Sequence, residues 1–253
     1  VKDVVQSVDR ALTILELLSK HVDGLGVAEI GSRVNLHKST VHRLLGTLIY
    51  KGFVVQDSDS NKYRISFKLF ELGARRIAEA DILAVSKPFT KALMESVNEV
   101  VHLVIRDTND IVYIDKVEAD NTIRMASTIG RRSSLYCTSV GKAMLAYMTD
   151  EEVETIWENT KIEKLTSNTI TELEKLKEEL QRIREKGFAE DDEENEIGVR
   201  CIGAAIFNSN GDVEGAISIS GPSIRVTKDR VEVFALEIKK YAHLISTELG
   251  YRP

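Results

Sequence analysis

The sequence has only two cysteines, Cys137 and Cys201, and neither belongs to a CxxC pair. A disulfide framework is therefore not expected, and both are read as packed thiols. No stretch approaches the roughly 18 uninterrupted apolar residues of a membrane span, and the opening VKDVVQSVDRAL lacks the order of a signal peptide. The chain is expected in the cytoplasm, with no membrane partner. GxSxG, HExxH, a P-loop and a GxGxxG following a strand are all missing. His102, the one histidine expected on a sheet, has no carboxylate or cysteine at a recognisable catalytic spacing. No catalytic residue and no cofactor are assigned. There is also no internal repeat, no low-complexity tract and no polybasic excess, since the formal net charge is −6. That sign argues against a histone-like mode of nucleic-acid binding.

What is present is an ordinary globular composition, 43% apolar and 29% charged over 253 residues, enough for two modest domains with their own cores. The charge is unevenly placed. Residues 1–80 hold twelve Lys and Arg against nine Asp and Glu, a net of +3, and the remainder holds 22 against 31, a net of −9. A basic head on an acidic body fits a chain that offers one end to phosphate and keeps the other away from it.

The head is organised around residues 27–64. In 38–51, Val41, Leu44, Leu45, Leu48 and Ile49 form one apolar stripe at helical spacing. The opposite face carries Ser39, Arg43, Gly46, Thr47 and Tyr50, with Thr40 and His42 on its borders and no acid. Upstream, 27–34 reads as a short helix, and Asn35 and Leu36 leave room only for a tight turn before the next helix, which is helix-turn-helix spacing. After Gly52, residues 53–56 and 62–65 read as strands joined by the turn DSDSN. Two strands after a recognition helix predict a winged helix. Lys38, Ser39, Thr40, His42 and Arg43 at the helix start and Lys62 and Arg64 on the wing are the candidate DNA contacts.

The other elements follow from the same periodicities. Residues 7–20 predict the first helix, with Ser7 as its cap and Val8, Ala11, Leu12, Leu15 and Leu18 buried. Residues 67–80 predict a connecting helix whose surplus apolar surface implies contact with a partner subunit. A helix over 83–98 precedes strands at 100–106, 111–118 and 123–128, and the succession implies an antiparallel sheet. A helix is expected from Thr138 or Ser139 to Met148, and another from Thr149 or Asp150 to about Asn159. Thr171 and Glu174 offer a capping box to a helix that stops at Gly187. The acidic run 190–196, EDDEENE, reads for the most part as a solvated loop. Strands at 200–208 and 213–220 are joined through Asn210-Gly211, and 227–250 is a closing amphipathic helix.

In the second domain the candidates are groups suited to an anion. A helix opening at Thr138-Ser139-Val140 presents free N–H groups, and Ser218 and Ser220, two apart on a strand, share a face. A metal site built from Cys137, Cys201, His102 and Asp191 matches no zinc spacing, and none is assigned.

LHKSTVHRLLGTL, KYRISFKLFELG, IGRRSSLYCTSVGKAMLA, GFAEDDEENEIGVRCIGAAIF and AISISGP together resemble the IclR family of bacterial transcription regulators over essentially the whole chain. Within it, FKLFELGARRI, HLVIRDTNDIVYIDKV and IGRRSSLYCTSVGKAMLA look most like regulators of pectin and hexuronate catabolism that sense 2-keto-3-deoxygluconate. The resemblance implies an α+β protein: an N-terminal winged helix-turn-helix (1–66), a linker helix (67–82) and a C-terminal GAF-like effector domain (83–253) whose antiparallel sheet is flanked by helices. It implies a homodimer or dimer of dimers on an inverted repeat of double-stranded operator DNA, repressing a catabolic operon under control of a small carboxylate. The family's small-acid pocket maps onto Ser139, Val140, Asp191, Cys201, Ser218 and Ser220. Asp191 is expected to accept from ligand hydroxyls. Ser139 and Val140 depart from a Gly-Ala pair found in some members, which changes pocket volume. The alternative reading is an enzyme converting a small oxo acid while carrying a DNA-binding head.

Overall fold

In the computed structural model, which describes residues 4–78, 81–122 and 125–252, the chain divides into two units, Val1–Glu79 and Ala80–Pro253. The first contains α1 (Gln6–Ser19), α2 (Val27–Arg33), α3 (Lys38–Tyr50), the strand pair β1 (Val54–Gln56) and β2 (Tyr63–Ile65), and α4 (Lys68–Ala78). Ile14, Leu15 and Leu18 of α1 meet Ile30 of α2, Val41, Leu45 and Leu48 of α3, and Val54 and Tyr63 of the strand pair in one core. The turn between α2 and α3 depends on Gly31: a Cβ there would lie 2.8 Å from the carbonyl oxygen of Leu36. Asn35 then takes a positive φ of 52°, and Leu36 N–H donates to the Gly31 carbonyl at 2.9 Å. This close approach sets the angle at which α3 leaves the turn. The head is a winged helix-turn-helix.

The second unit contains α5 (Asp81–Val97), β3 (Val100–Asp107), β4 (Asp110–Val117), β5 (Arg132–Ser134), α6 (Ser139–Leu145), α7 (Asp150–Glu158), α8 (Leu173–Lys186), β6 (Ala189–Asp192), β7 (Val199–Phe207), β8 (Val213–Pro222) and α9 (Val231–Glu248). The strands form one antiparallel sheet in the order β5-β4-β3-β8-β7-β6. Strand alternation sends Val101, Leu103, Ile202, Ile217 and Ile219 to one face, where α5 and α9 cover them with Leu93, Val97, Phe234, Ile238 and Ile245. The other face carries α6 and α8 through Val140, Met144, Leu176, Leu180 and Ile183. At about 1.5–3 kcal/mol per fully buried aliphatic side chain, the two layers of contact give the sheet a stable frame on both sides. Polar groups gather on the α6 face.

Several expected details differ. Helix α1 starts at Gln6 with Val5 as its cap residue, so Ser7 lies inside the helix. Its buried stripe is rotated: Ile14 is enclosed, whereas Val8 and Leu12 are 55% and 54% exposed. Ile49 at the end of α3 is likewise exposed. The capping box expected at Thr171 and Glu174 is missing, because Glu172 is the cap residue of α8 and makes no side-chain cap bond. Of the strand expected at 123–128, Ile123 and Arg124 lie outside the described residues, and 125–128 is irregular; the strand that pairs with β4 on the side away from β3 is β5. The helix expected to reach Met148 ends at Leu145. At the β7–β8 connection Gly211 has φ 84° but Asn210 does not share the positive sign, and Gly211 N–H donates to the Asn208 carbonyl at 3.0 Å. The link is thus a longer turn closed by glycine, not a two-residue turn with both φ values positive. Residues 189–192, on the acidic run, form a strand that pairs with β7.

Candidate functional site

On the head, Lys38, Ser39, His42 and Arg43 are exposed along α3 and Thr40 is partly buried beside them. Thr40 and Arg43 share a groove with Gln6, Ser7 and Arg10 of α1. Among the described residues neither Arg10 nor Arg43 is held in an ion pair, so both guanidinium groups are free for phosphate or base edges. Arg10 was missed in the sequence because its neighbours read as a core helix; its place beside α3 follows only from helix packing. Lys62 and Arg64 lie on the wing, where Asp57 closes the loop by accepting from Ser60 N and Ser60 Oγ, both at 2.8 Å. Those hydrogen bonds hold the Asp57 carboxyl below its usual range. Arg64 borders a different groove, with Leu18, Val22, Val55 and Phe67, and is not brought against Arg43.

In the second unit, strand register assembles the candidates. Asp191 on β6 lies opposite Cys201 on β7, and Cys201 lies opposite Ser220 on β8. In the next row, Gly203 on β7 faces Ser218 on β8, and Ser218 faces His102 on β3. Gly203 is the gap through which α6 arrives: a Cβ there would stand 2.7 Å from Ser139 C and 2.9 Å from Val140 N. The Thr138 hydroxyl accepts from Gly141 N–H at 3.2 Å and caps α6. The first two N–H groups of the helix, Ser139 and Val140, have no partner within it. One cavity is lined by Ser139, Val140, Asp191, Cys201, Ser218 and Ser220, all six sequence candidates.

The same cavity is lined by residues the sequence did not single out: Tyr113, Ser127, Arg131, Ser133, Asn195 and Glu196, together with His102, considered in the sequence only for catalysis and for a metal and assigned to neither. His102 Nδ1 is 3.3 Å from both Ser218 Oγ and Ser220 Oγ, and its Nε2 is 2.7 Å from Ser127 Oγ. The imidazole therefore joins the sheet floor to segment 125–128. Lys116 reinforces that join by donating to the carbonyls of Met125 and Ser127 at 2.9 and 2.8 Å. The signal available in sequence was the alternation of His102 with the apolar residues of β3, but nothing in it says which strands will flank β3.

Burial makes the cavity walls electrically neutral where they touch one another. Desolvation, helped by the nearby Lys116 charge, pushes His102 down to about 3, so the ring is uncharged at neutral pH. Burial pushes Tyr113 up to about 12 and raises Cys201 as well, leaving a phenol and a thiol. Cys201, partly buried, lines the cavity. Asp191 is pushed up to about 7, mainly by burial and against the pull of Lys142. Its Oδ1 accepts from the N–H groups of Glu194 and Asn195 at 2.8 and 3.2 Å. Behind it, the buried Lys142 is paired with Glu194. Groups of three or more His, Cys, Asp and Glu able to hold a metal do not occur among the described residues. Hydroxyls, amides and one carboxyl of intermediate acidity make a site for hydrogen-bonding a small oxygen-rich molecule.

A winged helix-turn-helix joined in one chain to a sheet domain with such a cavity defines a transcription regulator. The chain belongs to the IclR family: the family's helix-turn-helix domain matches residues 7–58, and the C-terminal domain of bacterial transcriptional regulator IclR matches residues 74–247. It is 38% identical over 249 residues to the HTH-type transcriptional regulator KdgR of Escherichia coli K12, covering 98% of this chain and 94% of the relative. It is 36% identical over 247 residues to the HTH-type transcriptional repressor AllR of the same strain, covering 98% and 91%. The crystal structure of Thermotoga maritima IclR superposes with a TM-score of 0.85 at 34% identity, over 98% of this chain and 100% of that one. These relatives are regulators and not enzymes, and the alternative of an oxo-acid-converting enzyme has no support among them.

Proposed function

We propose that the chain is a repressor of a carbohydrate or organic-acid catabolic operon, released or retained on its operator by a small 2-oxo acid such as 2-keto-3-deoxygluconate. The observation that carries this reading is the one cavity lined by all six candidate residues, with the neutral His102 and further hydroxyls on its walls. The ligand carboxylate lies against the N–H groups of Ser139 and Val140. Ser218 and Ser220 bind its oxygens, Asp191 meets a ligand hydroxyl, and Cys201 lines the wall. The resemblance to regulators that sense 2-keto-3-deoxygluconate supports the sugar acid, and similarity to proteins named repressor AllR supports repression.

On the DNA side, Ser39, Thr40 and Arg43 contact bases and phosphates, Lys38 and His42 flank them, and Lys62 and Arg64 hold the backbone. One head is small, so specific binding takes two heads on an inverted repeat of double-stranded DNA. The chain acts as a cytoplasmic homodimer or dimer of dimers, in which 1–66 is the head, 67–82 the linker and 83–253 the effector domain. Phe67 and Phe70, 85% and 72% exposed in the single chain, supply apolar surface for pairing. Ligand control follows when the acid binds two spacings of the paired heads with different affinity.

Isothermal titration calorimetry of the full chain with 2-keto-3-deoxygluconate, pyruvate and glyoxylate tests the effector. The expected result is one saturable site per chain for the sugar acid, lost in the double variant Ser218→Ala/Ser220→Ala. Absence of heat with all three acids removes the effector reading while leaving the family membership intact.

A further inference from the structure

A cavity that receives a carboxylate has to supply a counter-charge or leave the anion paired with dipoles alone. Cations surround this cavity, and nearly all of them are already engaged. Lys116 donates to two carbonyls and pairs with Glu118 at 2.7 Å. Lys142 is paired with Glu194. Arg200 is held by Glu190 and Asp192, and Arg132 by Asp107 and Asp110. Arg131 differs from all of these. It lines the cavity, it is the only lysine or arginine among the described lining residues, where His102 is uncharged, and no ion pair or side-chain hydrogen bond engages it there.

Its backbone is fixed in place. Tyr113 N–H donates to the Arg131 carbonyl at 3.1 Å, Gly130 N–H donates to the Tyr113 carbonyl at 2.8 Å, and Arg131 N–H donates to the Thr128 carbonyl at 3.2 Å. The neighbouring pair Arg131-Arg132 is therefore split: Arg132 is committed to two carboxylates across β3 and β4, and Arg131 is left to the cavity wall. The Arg131 charge is felt by the buried Tyr113 hydroxyl, whose proton it helps to loosen against the effect of burial. The acids on the same wall, Asp191 and Glu196, would repel an incoming anion if nothing offset them.

We infer that Arg131 is the specificity-determining residue that makes this cavity select an acid over its neutral counterpart, supplying the counter-charge for the ligand carboxylate. This inference rests on the reading of the cavity as a site for a small acid. The amides of Ser139 and Val140 give the carboxylate hydrogen bonds, and Arg131 at the mouth gives it a full opposite charge. Because Arg131 is exposed, its contribution is screened by salt.

The test compares 2-keto-3-deoxygluconate with its neutral C1 carboxamide by calorimetry on the full-length protein, for the wild type, Arg131→Gln and Arg131→Lys, at two salt concentrations. Arg131→Gln is expected to weaken the acid roughly tenfold, in line with one lost charged contact, and the amide less than twofold. Arg131→Lys keeps most of the affinity for the acid, and the salt dependence seen in the wild type vanishes in Arg131→Gln. Equal losses for acid and amide would mean a merely structural role and overturn the inference, as would wild-type affinity for the acid in Arg131→Gln. A wild type that binds neither compound removes the small-acid reading itself, and this inference with it. Circular dichroism of each variant separates loss of fold from loss of charge, and a misfolded Arg131→Gln leaves the decision to the salt dependence of Arg131→Lys, which must match the wild type.

Discussion

Arg43 and His102 show how differently the two units are built. Arg43 stands exposed on α3, free of ion pairs among the described residues and ready for a partner that brings its own negative charge. His102 is 3% exposed, uncharged, and bonded at both ring nitrogens to serines from β8 and from segment 125–128. The head presents unspent cations on one rigid helix, so affinity for a polyanion built on them is expected to depend on salt and the contacts to act separately. The cavity offers a small molecule neutral groups that are bonded to one another and one exposed arginine, Arg131, so the bonded groups act as a unit and only the arginine is screened by salt. Surface charge and buried hydroxyl networks are alternative answers to the same problem of recognising oxygen.

The strongest way to break this comparison is Arg43→Ala. It is expected to cost about 1–3 kcal/mol of specific DNA binding, roughly ten- to a hundredfold in affinity, while calorimetric ligand affinity stays unchanged. A matching loss of ligand binding would show that the two recognitions are not separable. Gly203→Val attacks the other side. Its side chain would press on Ser139 and Val140, and overpacking of this kind costs about 1–3 kcal/mol. Thermal melting should show the second unit destabilised and ligand binding abolished, with the head's helical signal retained; an unchanged melt would mean that α6 is free to move.

The pH dependence of ligand binding sharpens the contrast further. Asp191 is protonated below about pH 7, and a carboxylate ligand binds the neutral form better than the ionised one. Affinity is therefore full below pH 7 and falls by up to about tenfold per unit as pH rises through it. Asp191→Asn should flatten the profile in calorimetry between pH 6 and 8.5. The same sign applies to folding: between 3.8 and about 7 the folded chain holds a proton that the unfolded chain has released, so this group's contribution weakens as pH rises. The smallest effect is expected on the wing. Lys62→Ala should weaken binding to all DNA sequences alike, a few-fold, and lower the salt slope by about one; a sequence-selective loss in anisotropy titrations would place Lys62 at a base edge instead.

The head was the more legible unit because its signals are local. Helix period, a tight turn at Asn35 and Leu36, and basic residues on one exposed face all lie within forty residues of one another. What escaped there was the phase of α1: Val8 and Leu12 fit a helical stripe as well as Ile14 does, and only packing against α3 chooses between them. In the second unit, the hydroxyl pair Ser218 and Ser220 could be placed on one face by alternation alone. Asp191 could not be distinguished from the other acids of its run, because its burial comes from β6 pairing with β7. The composition of EDDEENE opposes a strand, and tertiary pairing overrides it. Arg131, Tyr113 and Asn195 reach the same cavity from three separate stretches. Strand order decides such meetings, and no periodicity encodes strand order. The resemblance to IclR regulators supplied the site residues that physics alone left scattered.

The central claim is that an acid held in the cavity changes the grip of the heads on DNA. It is tested most directly by fluorescence anisotropy of a labelled fragment from upstream of the protein's own gene, at fixed salt, with and without millimolar 2-keto-3-deoxygluconate, using pyruvate and glyoxylate as controls and Ser218→Ala/Ser220→Ala as the cavity variant. The account predicts that the sugar acid shifts the wild-type curve and leaves the variant's curve in place. A shift of equal size in the variant, or none in the wild type with any of the three acids, would contradict it.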